Sequence, residues 1–358
     1  MRSDTATVAD LGQFDTFIDA RSPAEFAEDH VPGALNCPVL DDAERARVGT
    51  LYKQVSPFVA RRTGAALVAA NIARHLEQDF AERPRQWRPL VYCWRGGKRS
   101  GSLTHVLREV GWPAAQLQGG YKAFRRHVVE QLATLPGGFQ WRVLCGLTGS
   151  GKSRLIAALD RLGCQVLDLE GLAAHRGSVL GSEPDRPQPS QKGFETALWQ
   201  AVAHLDPARP VFVESESRRI GALHVPDGVL DPMRAGQCLW VHVDLPVRVA
   251  LLREEYAHFT QRPEDLLERL CDLSALRGHA AVERWMALAS EGDWDSLVED
   301  LLLTHYDPGY TRSLGNHYPA LEQAARVALA APSAEAVEAA ARALAAAGGD
   351  PRPGHATP

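Results

Sequence analysis

With 358 residues, the chain is too long for one ordinary module and matches two domains, or three. Hydrophobic residues at 45% and charged residues at 23% exclude wholesale disorder, and no apolar run approaches a membrane span. The formal net charge of −5 excludes a protein that coats nucleic acid through bulk positive charge, while leaving room for a local basic face.

The N-terminal stretch MRSDTATVADLGQFDTFID has no apolar run behind Arg2, so no secretory signal is read there. Phe14–Ala20 has the composition of a short strand. Ser22-Pro23-Ala24-Glu25 then opens a helix, because Ser22 can accept from the Glu25 N–H and Pro23 suits the first helical position. His30-Val31-Pro32-Gly33-Ala34 is a turn, and Thr63–Glu77 has helical apolar spacing. Leu90–Cys93 is a compact strand, followed by a Gly-rich loop and a helix over Gly101–Val110. Gly119-Gly120 breaks the chain before a helix over Tyr121–Leu135. Leu135-Pro136-Gly137-Gly138 marks the seam, giving a first α/β domain over residues 1–136.

Within that domain, Cys93 ends a strand and meets Trp94-Arg95-Gly96-Gly97-Lys98-Arg99-Ser100 before a helix. Such a loop turns successive N–H groups inward and aims a helix N-terminus at the sulfur. Both effects, with Lys98 and Arg99, stabilise a thiolate or a bound anion. The plainer reading is a buried structural cysteine at a strand end. The six cysteines are scattered with no C-x-x-C pair, which argues against a zinc ribbon or a disulfide framework and for a reduced, cytoplasmic protein without a structural metal.

These features resemble the rhodanese family: Asp19-Ala20-Arg21, the His30–Ala34 turn, the Cys93 loop and Leu117-Gln118-Gly119-Gly120-Tyr121 stand in the expected order. The resemblance implies that Cys93 carries a chalcogen as a persulfide-type adduct, with Arg99 beside it in the catalytic loop. Arg99 lies one residue further from the cysteine than is usual in single-domain rhodaneses. That spacing is shared with Cys-dependent phosphatases and suits a phosphate-bearing or larger donor.

A second α/β pattern follows the seam. Trp141–Cys145 is a strand, and Gly146-Leu147-Thr148-Gly149-Ser150-Gly151-Lys152-Ser153 is a full phosphate-loop match before a helix over Lys152–Leu162. Gly146, Gly149 and Gly151 let backbone N–H groups approach phosphate oxygens; Lys152 adds a point charge, and Ser153 can ligate Mg²⁺. Further strands are expected at Gln165–Leu169, Val211–Glu214 and Leu239–Asp244, which implies a parallel sheet covered on both faces. Asp168 and Glu214 are the candidate acids for the loop, each equally able to cap a helix or pair with Arg218 or Arg219. This phosphate-loop NTPase-like domain spans 139–325, helical beyond Pro263. Residues 326–358 form an Ala-rich terminal helix, within Ala324–Ala347, and a tail. Sustained heptads are missing from it, so a monomer is expected.

Local charge points to a polyanion. From Arg83 to Arg126 there are ten Lys or Arg against one acid, Glu109. Arg95, Lys98, Lys122, Arg125 and Arg126 are the candidate RNA contacts. Trp87, Trp94 and Tyr121 interleave with them as expected for base stacking, although such charges can also simply solvate helix faces.

A rhodanese-like domain fused to a phosphate-loop domain resembles the tRNA 2-selenouridine synthase family. The resemblance rests on Tyr92–Gly97, Gly146–Ser153, Leu169–Leu172, His175–Ser178, Gln188–Lys192 with Phe194-Glu195, Glu214–Arg218 and His305–Pro308. It implies replacement of the sulfur of wobble-position 2-thiouridine in tRNA by selenium from selenophosphate. An S-geranyl intermediate made from geranyl diphosphate is implied as well. No tightly bound cofactor and no membrane are expected. Leu266, Leu267, Leu270 and Leu273, with Trp285 and Trp294, are candidates for a prenyl groove, or for ordinary core. Two other readings stay open. One is a phosphate-loop kinase or ATPase with a rhodanese sulfur relay or Cys-phosphatase domain. The other is a non-catalytic RNA-docking module.

Overall fold

The computed structural model describes residues 4–349, apart from residue 184 and residues 273–277. The chain forms two compact units. One is built from residues up to Gln131 together with Pro189–Gln200; the other comprises Leu132–Gln188 and the chain from Ala201 onward.

The first unit holds strands β1 (Thr5–Ala6), β2 (Thr16–Asp19), β3 (Leu35–Asn36), β4 (Pro89–Tyr92) and β5 (Ala115–Leu117). They form one parallel sheet in the order β1-β5-β4-β2-β3. All four residues of β4 are buried, as a strand covered on both faces requires. The helices are α1 (Pro23–Glu28), α2 (Asp42–Gln54), α3 (Pro57–Gln78), α4 (Lys98–Val110) and α5 (Gly120–Thr134). The expected capping box at Ser22 and Glu25 opens α1. Helix α4 begins at Lys98 rather than Gly101, because Gly97 serves as its N-cap and the basic pair enters the first turn. Helix α3 starts six residues before Thr63, where Pro57 follows a Ser56 side chain that accepts from the Phe58 N–H. Ile18, Phe80, Trp87, Val91, Leu103 and Leu107 fill one side of the sheet.

The second unit holds β6 (Gln140–Cys145), α6 (Lys152–Arg161), β7 (Gln165–Leu167), α7 (Leu169–Ala173) and the end of α8 (Gln191–Ala203). There follow β8 (Pro210–Glu214), the short hairpin β9 (Arg219–Ile220) and β10 (Leu223–His224), α9 (Asp227–Arg234) and β11 (Gln237–His242). A helical stretch follows, with α10 (Leu245–Glu255), α11 (Ala257–Gln261), α12 (Pro263–Asp272), α13 (His279–Glu291), α14 (Trp294–Leu301) and α15 (Asp307–His317). Strand β12 (Ala325–Ala328) and helix α16 (Ala334–Ala347) complete it.

The Ala-rich end departs from the expected continuous helix over Ala324–Ala347. Ala325–Ala328 is a strand, paired in parallel with Leu239–His242, and the sheet runs β12-β11-β6-β8-β7. An open sheet edge beside β11 outweighs alanine's helix preference at this point, and Val327 is buried there. Helix α16 starts only after Ser333, whose side chain accepts from the Ala336 N–H. Its Val337 and Leu344 share a core with Leu155 and Leu159 of α6. No described helix is long and apolar enough to cross a membrane. Leu273 and the tail from residue 350 lie outside the described residues.

Candidate thiol and phosphate sites

Cys93 follows β4 directly and is buried. Its Sγ accepts from the Gly97 N–H at 3.3 Å and from the Ser100 hydroxyl at 3.1 Å. Gln116 of β5 holds that geometry from across the sheet, its Nε2 donating to Ser100 Oγ at 2.8 Å and to the Gly97 carbonyl at 2.9 Å. The loop is clamped on its other side, where the Tyr121 N–H donates to the Cys93 carbonyl at 2.8 Å. Gly120 has φ +58°, and a Cβ there would lie 2.1 Å from the Cys93 carbonyl oxygen, so the Gly119-Gly120 break has a steric cause. Ser100 stood inside the loop read from sequence. Gln116 carried no local signal, since only sheet pairing brings it near.

Arg99 does not stand free at the thiol. Its Nη1 pairs with Glu25 Oε2 at 2.7 Å. Burial alone would raise the Glu25 carboxyl, yet Arg99, the Ser22 N–H and Arg45 hold it below its ordinary value. Asp19 and Arg21 form a buried ion pair at 2.6 Å, and the Arg21 guanidinium lies 4.0 Å from the Tyr121 ring centroid. Arg21 also donates to the Asp29 carbonyl at 2.6 Å, while the Asp29 carboxylate accepts from Tyr121 and from Thr196. The Asp19-Ala20-Arg21 stretch is therefore part of the scaffold.

Four of the five candidate RNA contacts are exposed: Arg95, Lys98, Lys122 and Arg126. Arg125 is the exception, half-buried and paired with Glu195. The expected aromatic interleaving is also corrected. Trp87 and Tyr121 are buried, Trp87 donating to Thr16 Oγ1, and Trp94 alone of the three is partly open, its ring stacked on Tyr121.

In the second unit, β6 runs into the loop Gly146–Gly151, with Gly149 at φ +77° and Gly151 at φ +71°. Lys152 folds back, donating to the Gly146 carbonyl at 3.0 Å, and its Nζ lies 5.0 Å from the Tyr310 ring centroid. The Ser153 hydroxyl donates to Glu170 Oε2 at 2.5 Å. Of the two candidate acids, Asp168 is exposed and caps α7, accepting from the Gly171 N–H at 2.7 Å. Glu214, at the end of β8, is buried with both carboxyl oxygens lacking a hydrogen-bond partner. Neither pairs with Arg218, which meets Asp227 at 2.8 Å, or with Arg219, whose Nε donates to the Gly221 carbonyl.

Two further acids join this site. Burial, with Glu170, Asp168 and Glu216 nearby, pushes the Glu214 carboxyl well above the usual range. Burial and Glu170 push Glu216 up to about 8, against the pull of Lys152. Glu170 and Glu216 lay inside stretches noted in the sequence, but spacing alone could not show that they converge on Ser153 and Lys152. Ser153 and Glu170, in contact beside the loop, offer hard oxygen donors of the kind that suit Mg²⁺. Elsewhere, Cys37, His75 and Asp79 bring ligand atoms within 4.8 Å of one another. There, both His75 nitrogens are engaged by Asp79 and the Pro38 carbonyl, and burial pushes the Cys37 thiol up to about 12.

Thr148 of the phosphate loop also forms part of the wall of an apolar pocket with about 620 Å³ of empty space, its open mouth included. Leu252, Tyr256, Phe259, Leu266, Trp294 and Leu301 are among its lining residues. Of the expected groove residues, Leu266 and Trp294 reach the pocket, while Leu270 and Trp285 are sealed in the core and Leu267 packs against it.

Comparison with known proteins divides the chain in the same order. The family described as "Rhodanese-like domain" matches residues 5–127, and that described as "tRNA 2-selenouridine synthase AAA domain" matches residues 139–277. The chain is 38% identical over 243 residues to a tRNA 2-selenouridine synthase of Nitrosomonas europaea, covering 67% of this chain and 63% of that protein. It is 37% identical to a protein of that name from Alcanivorax borkumensis, covering 72% of this chain and 70% of that one. With the Hydrogenovibrio crunogenus protein of the same name, 33% identity extends over 82% of this chain and 87% of that one.

Proposed function

The chain belongs to the tRNA 2-selenouridine synthase family, and we propose that it replaces the sulfur of wobble-position 2-thiouridine in tRNA with selenium from selenophosphate, through an S-geranyl intermediate made from geranyl diphosphate. The observation that carries this reading is the Cys93 sulfur, held between the Gly97 N–H and the Ser100 hydroxyl at the N-terminus of α4, with exposed cations in the same loop. A donor with an anionic group is drawn to that loop; the Cys93 sulfur attacks the phosphorus of selenophosphate, the phosphorus–selenium bond breaks to free selenium at the selenide level, and water then releases phosphate from the sulfur.

The phosphate loop has a separate task. Backbone N–H groups and Lys152 take the diphosphate, while the pocket that shares Thr148 takes the ten-carbon chain. The thiouridine sulfur attacks the first carbon of the chain, the carbon–oxygen bond breaks, and the N3 proton is lost. The resulting alkylthiolate is the better leaving group when selenium adds to C2. A divalent cation, when held by Ser153 and Glu170, would neutralise charge on the departing diphosphate. The protein acts as a cytoplasmic monomer on this reading.

The test is mass analysis of tRNA nucleosides after incubation with selenophosphate, with and without geranyl diphosphate. Selenated nucleoside is expected only when both donors are present, and S-geranylated nucleoside should accumulate when geranyl diphosphate is given without selenophosphate. The Ser153–Glu170 contact also suits a nucleotide-bound cation, so the competing kinase or ATPase reading is checked by incubation with ATP alone. Production of ADP without tRNA would favour it.

A further inference from the structure

Helices α2 and α3 form a hairpin whose tip is used by neither site described above. The helices are closely packed, since a Cβ on Gly64 would meet the Val48 side chain at 3.4 Å. Their joint is fixed, because Ser56 Oγ accepts from the Phe58 N–H at 3.2 Å. On this built turn three large apolar side chains face outward: Tyr52 at 57%, Val55 at 64% and Phe58 at 70% exposure. They stand within a run from Arg45 to Arg62 that holds five Lys or Arg and no acid. Arg45 reaches Glu25 at 3.3 Å. Arg47, Lys53, Arg61 and Arg62 are exposed, and among the described residues none of them has an ion-pair partner.

We infer that this hairpin tip is a second tRNA-docking surface, at which Tyr52 and Phe58 stack on unpaired bases while Lys53, Arg61 and Arg62 hold the flanking phosphates. The inference rests on the proposed action on tRNA and adds a contact remote in sequence from the Cys93 loop. Exposed aromatic rings beside uncompensated cations are the pairing that single-stranded RNA rewards, since every base offers a π-face and every step a phosphate. An apolar protein partner fits less well. The apolar face is narrow and is interrupted on both helices by Lys53, Gln54, Arg61 and Arg62, which such a partner would have to desolvate. Phe58, Arg61 and Arg62 lie three and four residues apart on α3, so ring and charges share one helix face.

The experiment uses the full chain and an in vitro transcribed tRNA, with affinity measured across a range of KCl concentrations. Tyr52→Ala with Phe58→Ala is expected to weaken binding roughly tenfold or more with an unchanged salt slope, because stacking releases no counterions. Arg61→Gln with Arg62→Gln is expected to weaken binding and flatten the log–log salt slope by about 1.4–1.8. Phe58→Trp, which keeps a stacking ring, should retain wild-type affinity. All four side chains are exposed, so melting temperatures should stay at the wild-type value. Alanine and glutamine variants that bind as tightly as a tRNA-binding wild type overturn this inference alone. A wild type that binds no tRNA overturns the proposed function with it. Sedimentation supplies the remaining outcome: self-association lost in Phe58→Ala at unchanged RNA affinity would assign the tip to a second copy of the chain.

Discussion

The Ser100 hydroxyl donates to the Cys93 sulfur from 3.1 Å while its oxygen accepts from Gln116 Nε2 at 2.8 Å. Among the described residues its other acceptor is the Gly97 carbonyl at 3.3 Å, so a sulfur carrying negative charge would take the hydrogen bond in preference to it.

That arrangement makes the first prediction. A donor to a charged acceptor is worth about 1.5–3 kcal/mol, so Ser100→Ala should slow alkylation of Cys93 at neutral pH by about tenfold or more. Iodoacetamide labelling followed by mass analysis reads this directly, and an unchanged rate would remove Ser100 from the thiol's environment. Cys93→Ser should fold normally yet stop selenium incorporation, with S-geranylated tRNA accumulating. Full selenation by that variant would refute a role for Cys93 in releasing selenium from its donor.

Arg125 and Arg126, adjacent in sequence, should respond differently. Arg126 is exposed, so Arg126→Glu should weaken tRNA binding and flatten its salt dependence by at least about 0.7–0.9, the value of one lost phosphate contact. Arg125 is half-buried against Glu195, so Arg125→Glu should place two like charges together and lower the melting temperature. A melting temperature equal to wild type would mean that the Arg125–Glu195 pair contributes nothing to the first unit.

Lys152→Ala should abolish geranylation yet spare selenation of tRNA that is already S-geranylated. The reverse pattern would move the phosphate loop to the selenium step. The pocket beside Thr148 adds a chain-length test. Dimethylallyl diphosphate has five fewer carbons, which at about 0.8 kcal/mol each sets an upper bound near 4 kcal/mol on its loss of affinity. Leu301→Trp, placed in the pocket wall, should weaken geranyl diphosphate while leaving free pyrophosphate unaffected. Equal losses for both ligands would put the chain elsewhere.

The Glu216 carboxyl gives a pH signature. Burial and Glu170 raise it from an ordinary 4.5 to about 8, so the fold favours its protonated form. Its contribution to stability is therefore fully present below the ordinary value and is lost as pH rises toward about 8. Melting temperature should fall across that window in the wild type and fall less in Glu216→Gln. Affinity for geranyl diphosphate should also decline above about pH 8 as a carboxylate appears beside Lys152, and titration calorimetry on both proteins checks it. Identical pH profiles for the two would show that Glu216 does not titrate there.

The sequence alone determined both loops, because each is a contiguous run whose glycines and cations act through their own backbone. Cys93 to Ser100 and Gly146 to Ser153 kept their order, their strand before and their helix after. Parallel sheets were legible for the same reason, as short apolar runs separated by helical spacing. What sequence could not decide was everything that depends on neighbours distant in the chain. Gln116 reaches the thiol loop only because β5 lies beside β4. Arg99 and Arg125 read as free cations until Glu25 and Glu195 were brought against them, and Trp87 and Tyr121 as stacking rings until the core closed over them. Glu170 and Glu216 become partners of the phosphate loop only where α7 and the end of β8 converge, since side-chain desolvation and charge coupling are properties of packing. Residues 325–328 carry the same lesson in the backbone: alanine's preference favours a helix, and the unpaired edge of β11 took the segment as a strand.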